Sequence, residues 1–113
     1  MTKYLISFPS GVMEVADGDW DNIVRESHEV IEEAKAAGAY VFGGGINEDV
    51  DAVLVSADGS LSTDTYPRTK TLHGGMTVLE LPNREAAERW AAKIAKACRC
   101  PQELIEFMYD PAS

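Results

Sequence analysis

The chain reads as an α+β domain, a split βαβ arrangement with an added central hairpin, in which two helices cover one face of a mainly antiparallel sheet. Three observations predict this class. Short apolar runs at residues 4–8, 39–42, 76–81 and 104–109 have strand length and are punctuated by Gly and Pro. Two longer stretches, one starting at Trp20 and one after Asn83, repeat apolar residues at helical spacing. The resulting order is strand, helix, strand, hairpin, strand, helix, strand, which is that of a split βαβ unit carrying extra strands.

The first strand, Tyr4-Leu5-Ile6-Ser7-Phe8, stops at Pro9-Ser10-Gly11. Trp20, Ile23, Ser27, Val30, Ile31 and Ala34 then recur on one helical face, with Asp19 or Asp17 able to cap the free amides and Gly38 placed to end the helix. Ala39-Tyr40-Val41-Phe42 is the second strand and runs out in Gly43-Gly44-Gly45. Asp58-Gly59, flanked by Asp51-Ala52-Val53-Leu54-Val55 and Ser60-Leu61-Ser62-Thr63, is a strong hairpin signal. A polar loop over residues 63–75 leads into the strand Met76-Thr77-Val78-Leu79-Glu80-Leu81. Asn83 is the expected cap of a second helix whose Ala87, Trp90, Ala91, Ile94 and Cys98 share a face, and residues 104–109 form the last strand.

A chain of 113 residues with 45% hydrophobic content fits a single domain, residues 1–113. No stretch approaches the roughly 20 apolar residues of a bilayer span, so a cytoplasmic protein without a membrane partner is expected. The net charge of -9 argues against phosphate-backbone contacts and hence against nucleic acid as partner. Cys98 and Cys100 are too close for an unstrained disulfide and too few for zinc, and no metal or cofactor is expected. Apolar residues point to both sides of the strands, as with Tyr4 and Ile6 against Leu5, or Met76 and Val78 against Leu79 and Leu81. The chain has no further helix to cover the second face. A second copy is the simplest cover, so a homodimer is expected.

Thr69-Lys70 followed by Gly74-Gly75, a strand, Leu81-Pro82-Asn83 and an Ala-rich helix with Trp90-Ala91 resembles the YCII-related family in its DGPF-motif branch. The likeness extends from Lys3-Tyr4-Leu5-Ile6 through Ala36-Ala37-Gly38, Gly43-Gly44-Gly45 and Asp58-Gly59 to the last strand. It implies a dimeric α/β barrel in which two ferredoxin-like sheets face one another and enclose pockets. The family's Asp-Gly-Pro-aromatic turn appears here as Asp64-Thr65-Tyr66-Pro67-Arg68-Thr69-Lys70-Thr71, with Tyr66 at the aromatic position and Arg68 and Thr71 where acids are usual. Arg25-Glu26-Ser27-His28 resembles the Arg-x-x-His of the catalytic-looking branch, whose histidine is paired with an aspartate after the second helix. Here residues 94–101 contain no Asp.

Two functional readings follow. In one, the protein is a small dimeric module that binds a metabolite or a protein partner, with Asp64, Tyr66, Arg68, Lys70 and His73 on the rim of the ligand site. In the other it is a cofactor-free lyase- or isomerase-like enzyme acting on a hydroxylated or carbonyl compound, with His28 as general acid and base, since imidazole titrates near neutral pH. Against these stand plainer roles. Glu32, one turn after His28, could hold it as a surface pair, and Lys70 and Tyr66 could serve an ion pair and packing. The incomplete dyad favours the binding module.

Overall fold

The computed structural model describes residues 1–69 and 74–113. Strand β1 (Thr2–Phe8) leads to helix α1 (Trp20–Ala36) and strand β2 (Tyr40–Gly45). Two short strands, β3 (Leu54–Val55) and β4 (Leu61–Ser62), and a 3-10 turn at Pro67–Thr69 precede β5 (Gly75–Leu81), α2 (Arg84–Cys98) and β6 (Glu103–Glu106). The four long strands form one sheet in the order β2-β5-β1-β6, antiparallel at every junction. The α+β class and the antiparallel sheet with two helices agree with the sequence reading.

Each helix is bounded by local chemistry. The Asn83 side chain accepts the Ala86 N–H at 2.9 Å, capping α2 as its sequence predicts. Helix α1 ends in a reverse turn at Gly38 (φ +72°), where Gly38 N–H donates to Lys35 and Ala39 N–H to Ala34. At the start of α1 the outcome differs from expectation. Asp19 occupies the cap position, but its carboxylate makes no capping bond and is turned instead to Arg99, a stronger charged donor.

Cross-strand partners share a sheet face, so the register sorts the two sides. On the helix side, Tyr40, Leu79 and Tyr4 form one row, and Thr77, Ile6 and Leu104 the next. Tyr4, Ile6, Leu79 and Leu81 are buried there with Ala34, Ala87, Ala91 and Ile94 of the helices. Alanines on α2 let the helix backbone approach the sheet. Burying one Ile or Leu of this set contributes about 1.5–3 kcal/mol. Trp90 packs against the same cluster but stays half-buried, with Lys93 Nζ 4.9 Å from its ring.

The opposite face carries a second row, Phe42, Val78, Leu5 and Ile105, running across all four strands. Among the described residues no helix covers it: Phe42 is 60% exposed and Ile105 51% exposed. The last strand is shorter than expected, and Phe107, Met108 and Tyr109 lie beyond it, all exposed. The predicted central hairpin forms, yet as a separate two-stranded sheet rather than as part of the main one. Its turn places Gly59 at φ +88°, a conformation that favours glycine.

Candidate functional site

The loop singled out by sequence is held by local polar contacts. Asp64 N–H donates to Ser62 Oγ at 3.0 Å, and Pro67–Thr69 closes a single 3-10 turn. Tyr66 and Arg68 are exposed beside it, Tyr66 at 67%. Lys70 and His73, the other two expected rim residues, lie outside the described residues. Gly74 and Gly75, which follow, sit against Phe8: a Cβ on Gly74 would fall 2.5 Å from the ring, and one on Gly75 would fall 3.1 Å away. The Gly-Gly pair of the family-like signature thus has a packing reason in this chain, since the Phe8 ring occupies the space a side chain would need.

His28 lies on α1 with its side chain exposed. Glu32, the surface partner that its spacing offers, pairs instead with Lys35 at 3.5 Å, while Arg25 pairs with Glu29 at 3.6 Å. The neighbouring Ser27 reaches a small slot between the helices and the sheet, lined also by Val30, Tyr40, Trp90, Ile94 and Cys98. That slot holds about 50 Å³ and is almost wholly apolar. Small-molecule sites need about 300 Å³ or more, so it is a packing defect rather than a ligand pocket. Burial pushes the Cys98 thiol up to about 11, with the nearby Cys100 adding to the effect, so Cys98 is a poor nucleophile near neutral pH. Among the described residues no three His, Cys, Asp or Glu side chains gather as a metal site would require.

A larger concavity lies on the open sheet face. Lys3, Val78 and Glu80 form its floor, and Phe107, Met108 and Tyr109 its wall, enclosing about 490 Å³. The chain after β6 is drawn over the sheet because Phe107 N–H donates to the Lys3 carbonyl at 3.0 Å and Lys3 Nζ donates to the Ser113 carbonyl at 2.7 Å. Its volume is that of a small-molecule site, and it offers both apolar surface and opposite charges at Lys3 and Glu80, which are cross-strand partners. Neither this cleft nor the smaller slot is lined by His28, Asp64, Tyr66 or Arg68. The sequence signal for the cleft was the two-sided apolar character of residues 104–109; that Lys3 and Glu80 join it depends on strand register.

Arg99 organises the far end of α2. It adopts a left-handed backbone (φ +60°), rare for a side chain of its size. Its guanidinium donates to Asp19 at 2.8 and 3.1 Å and to Glu26 at 2.7 and 3.3 Å, tying the start of α1 to the end of α2. These hydrogen bonds hold both carboxyls below their ordinary range. In sequence Arg99 falls within residues 94–101, the region where the family-like dyad would need its acid; in the structure it is a clamp between helices. All three guanidinium nitrogens are engaged, Nη1 donating also to the Lys96 and Ala97 carbonyls, so the group serves as a clamp and nothing about it resembles a reacting centre.

Among the described residues no helix is long and apolar enough to cross a membrane. No protein-family model matches the chain, and no curated protein matches it. The resemblance to the YCII-related family rests on the residues quoted for it.

Proposed function

We propose that the protein is a ferredoxin-like, dimeric α/β-barrel module that binds a small metabolite or a protein partner, with the apolar sheet face as its subunit interface. The observation that carries this reading is the row Phe42, Val78, Leu5 and Ile105, aligned across four strands with no helix over it. A half-exposed apolar row of this extent is costly in water, and a second sheet laid on it removes that cost. Sheets pack about 10 Å apart, which leaves the cleft beside Phe107 as a space between two layers rather than an open groove. A ligand there would meet apolar walls and one pair of opposite charges, a setting for an amphipathic small molecule. His28 stands on the helical layer, away from the floor formed by β1 and β5, and takes no part in this site.

Light scattering on the eluting protein tests the reading: a dimer mass at micromolar concentration is expected. Ile105→Lys should shift the mass to that of the monomer, because a lysine at the β6 end of the row cannot be buried in the interface without a partner. A monomer mass for the unaltered chain at that concentration would refute the reading.

A further inference from the structure

We infer that the β3–β4 hairpin is an intermolecular arm, which leaves its own sheet and packs over the C-terminal edge of the cleft in a second copy of the chain. This rests on the reading of the sheet face as the subunit interface and adds which parts of the two copies meet.

The base of the arm is tied to its own chain, the Ser10 hydroxyl donating to the Glu48 carboxylate and Ile46 N–H to the Gly74 carbonyl, while its surface stays open. From Ile46 to Arg68 every residue except Leu54 and Thr65 is exposed. Its ladder is two residues long on each side, and the backbone hydrogen bonds near its tip, from Ser56 to Ser60 and from Gly59 to Ser56, stay inside it. An isolated two-stranded hairpin is at best marginally stable in water. It nonetheless presents Val50, Val53, Val55 and Leu61, exposed between 49% and 68%. Apolar side chains on a projecting hairpin are a contact surface awaiting its complement.

The size of the missing complement can be worked out. A compact monomer of this mass exposes about 6,100 Å². This chain exposes 7956 Å². Its radius of gyration is 15.7 Å, against about 13 Å for a compact chain of this length. The excess of about 1,900 Å² per copy exceeds the roughly 800 Å² that each partner buries in a standard interface, and falls in the range of obligate homodimers. A four-stranded face alone covers only about 400 Å² in projection, from the strand spacing and the rise per residue. The arm, exposed along most of its length, adds to that face.

Where the arm lands depends on the twofold axis: one running along the strands would set arm against arm, one crossing them sets arm against tail. It departs beyond the end of the sheet at which Phe8 pairs with Gly75. The second unpartnered apolar group, Phe107, Met108 and Tyr109, lies at the opposite end, where Lys3 pairs with Glu80. A twofold axis between two facing sheets and crossing their strands exchanges the two ends, so both arms meet both tails in one closed, isologous contact. The partner's arm then roofs the cleft, and the site is incomplete in a single chain.

The test uses two full-length variants, Leu61→Cys on the arm and Met108→Cys on the tail, with a short bismaleimide as probe. The unaltered chain, whose Cys98 is half-buried and Cys100 buried, sets the background. Cross-linked dimer is expected when the two variants are mixed and allowed to exchange, and not with either variant alone. Cross-linking of Leu61→Cys with itself would place arm against arm and overturn the inference, as would no cross-linking in the mixture. Val55→Lys with Leu61→Glu, an opposite-charge pair across the hairpin that keeps its register, should weaken dimerisation by about tenfold or more. An unchanged dissociation constant would also overturn it. A dimer that fails these tests leaves the sheet-face interface standing, whereas a monomer mass removes both.

Discussion

Gly74→Ala probes the closest packing described here between the signature loop and the sheet. An ideal Cβ at this position lies 2.5 Å from Phe8 Cε2, 2.7 Å from Phe8 Cδ2 and 3.0 Å from the Pro9 carbonyl oxygen. Carbon atoms prefer separations of about 3.5–4.0 Å, so the ring must move by about 1 Å or the Gly74 N–H bond to the Phe8 carbonyl, 2.8 Å long, must stretch. The cost is steric, set by the Phe8 ring and the Pro9 carbonyl. Overpacking of this kind destabilises by about 1–3 kcal/mol. With an unfolding entropy of about 2.1 cal/mol/K per residue, that corresponds to a fall in Tm of about 4–13 °C. Thermal unfolding of four chains, the unaltered one, Gly74→Ala, Phe8→Ala and the double variant, isolates the contact, provided protein concentration is held fixed because association adds to stability. In the Phe8→Ala background the clash is gone, and Gly74→Ala should be neutral or slightly stabilising through lower unfolded-state entropy. A Gly74→Ala chain as stable as its parent, or an equal cost in both backgrounds, would refute the steric account.

Trp90→Ala should cost about 3 kcal/mol, the lower end for a large aromatic, because the ring is only half-buried and the space it vacates opens partly to solvent; an unchanged urea midpoint would contradict its place in the core. Arg99→Gly keeps the left-handed backbone and removes the clamp. Because Arg99 lowers the carboxyl values of Asp19 and Glu26 from 3.8 and 4.5, its contribution is present above about pH 5 and is lost as pH falls through the depressed values, so the variant should show a flatter loss of Tm on acidification; parallel pH curves would rule this out. Dimerisation through the sheet face should respond weakly to salt, since the Debye length is already about 8–10 Å near physiological ionic strength and the acidic residues of α1 lie on the outer layer; a steep salt dependence would point to a charged interface instead.

Most of the fold was legible because its signals are local. The α1 stripe, the Gly38 stop, the Asn83 cap and the Asp58-Gly59 turn each depend on residues within a few positions of one another. Boundaries failed where pairing partners decide them. Gly43-Gly44-Gly45 looks like a loop in isolation but continues β2, because β5 supplies Met76 and Gly75 opposite and a strand needs no side chain to pair its backbone. Residues 107–109 look like strand yet lie past the end of β6. One backbone bond, from Phe107 N–H to the Lys3 carbonyl, still joins them to β1.

The site was less legible, because what assembles it is separated along the chain. Tyr66 and Arg68 were found from turn chemistry and from the family-like signature, both local. Lys3 and Glu80 meet only through the β1–β5 register, and Phe107 joins them through one hydrogen bond to the Lys3 carbonyl. Arg99 and Asp19, eighty positions apart, could not be paired by any helical spacing. Asp19 had a satisfactory local explanation as a helix cap, and that explanation gave way to a cation it shares with Glu26. A charged donor that reaches two carboxylates gains more than a neutral backbone amide can offer, so a long-range partner overrides a good local one wherever the fold brings them within reach. The uncovered row Phe42, Val78, Leu5 and Ile105 follows the same logic one level up. Apolar residues on both sides of the strands announced two apolar faces, and the helices cover only one of them, because the partner of the other is not among the local signals a sequence carries.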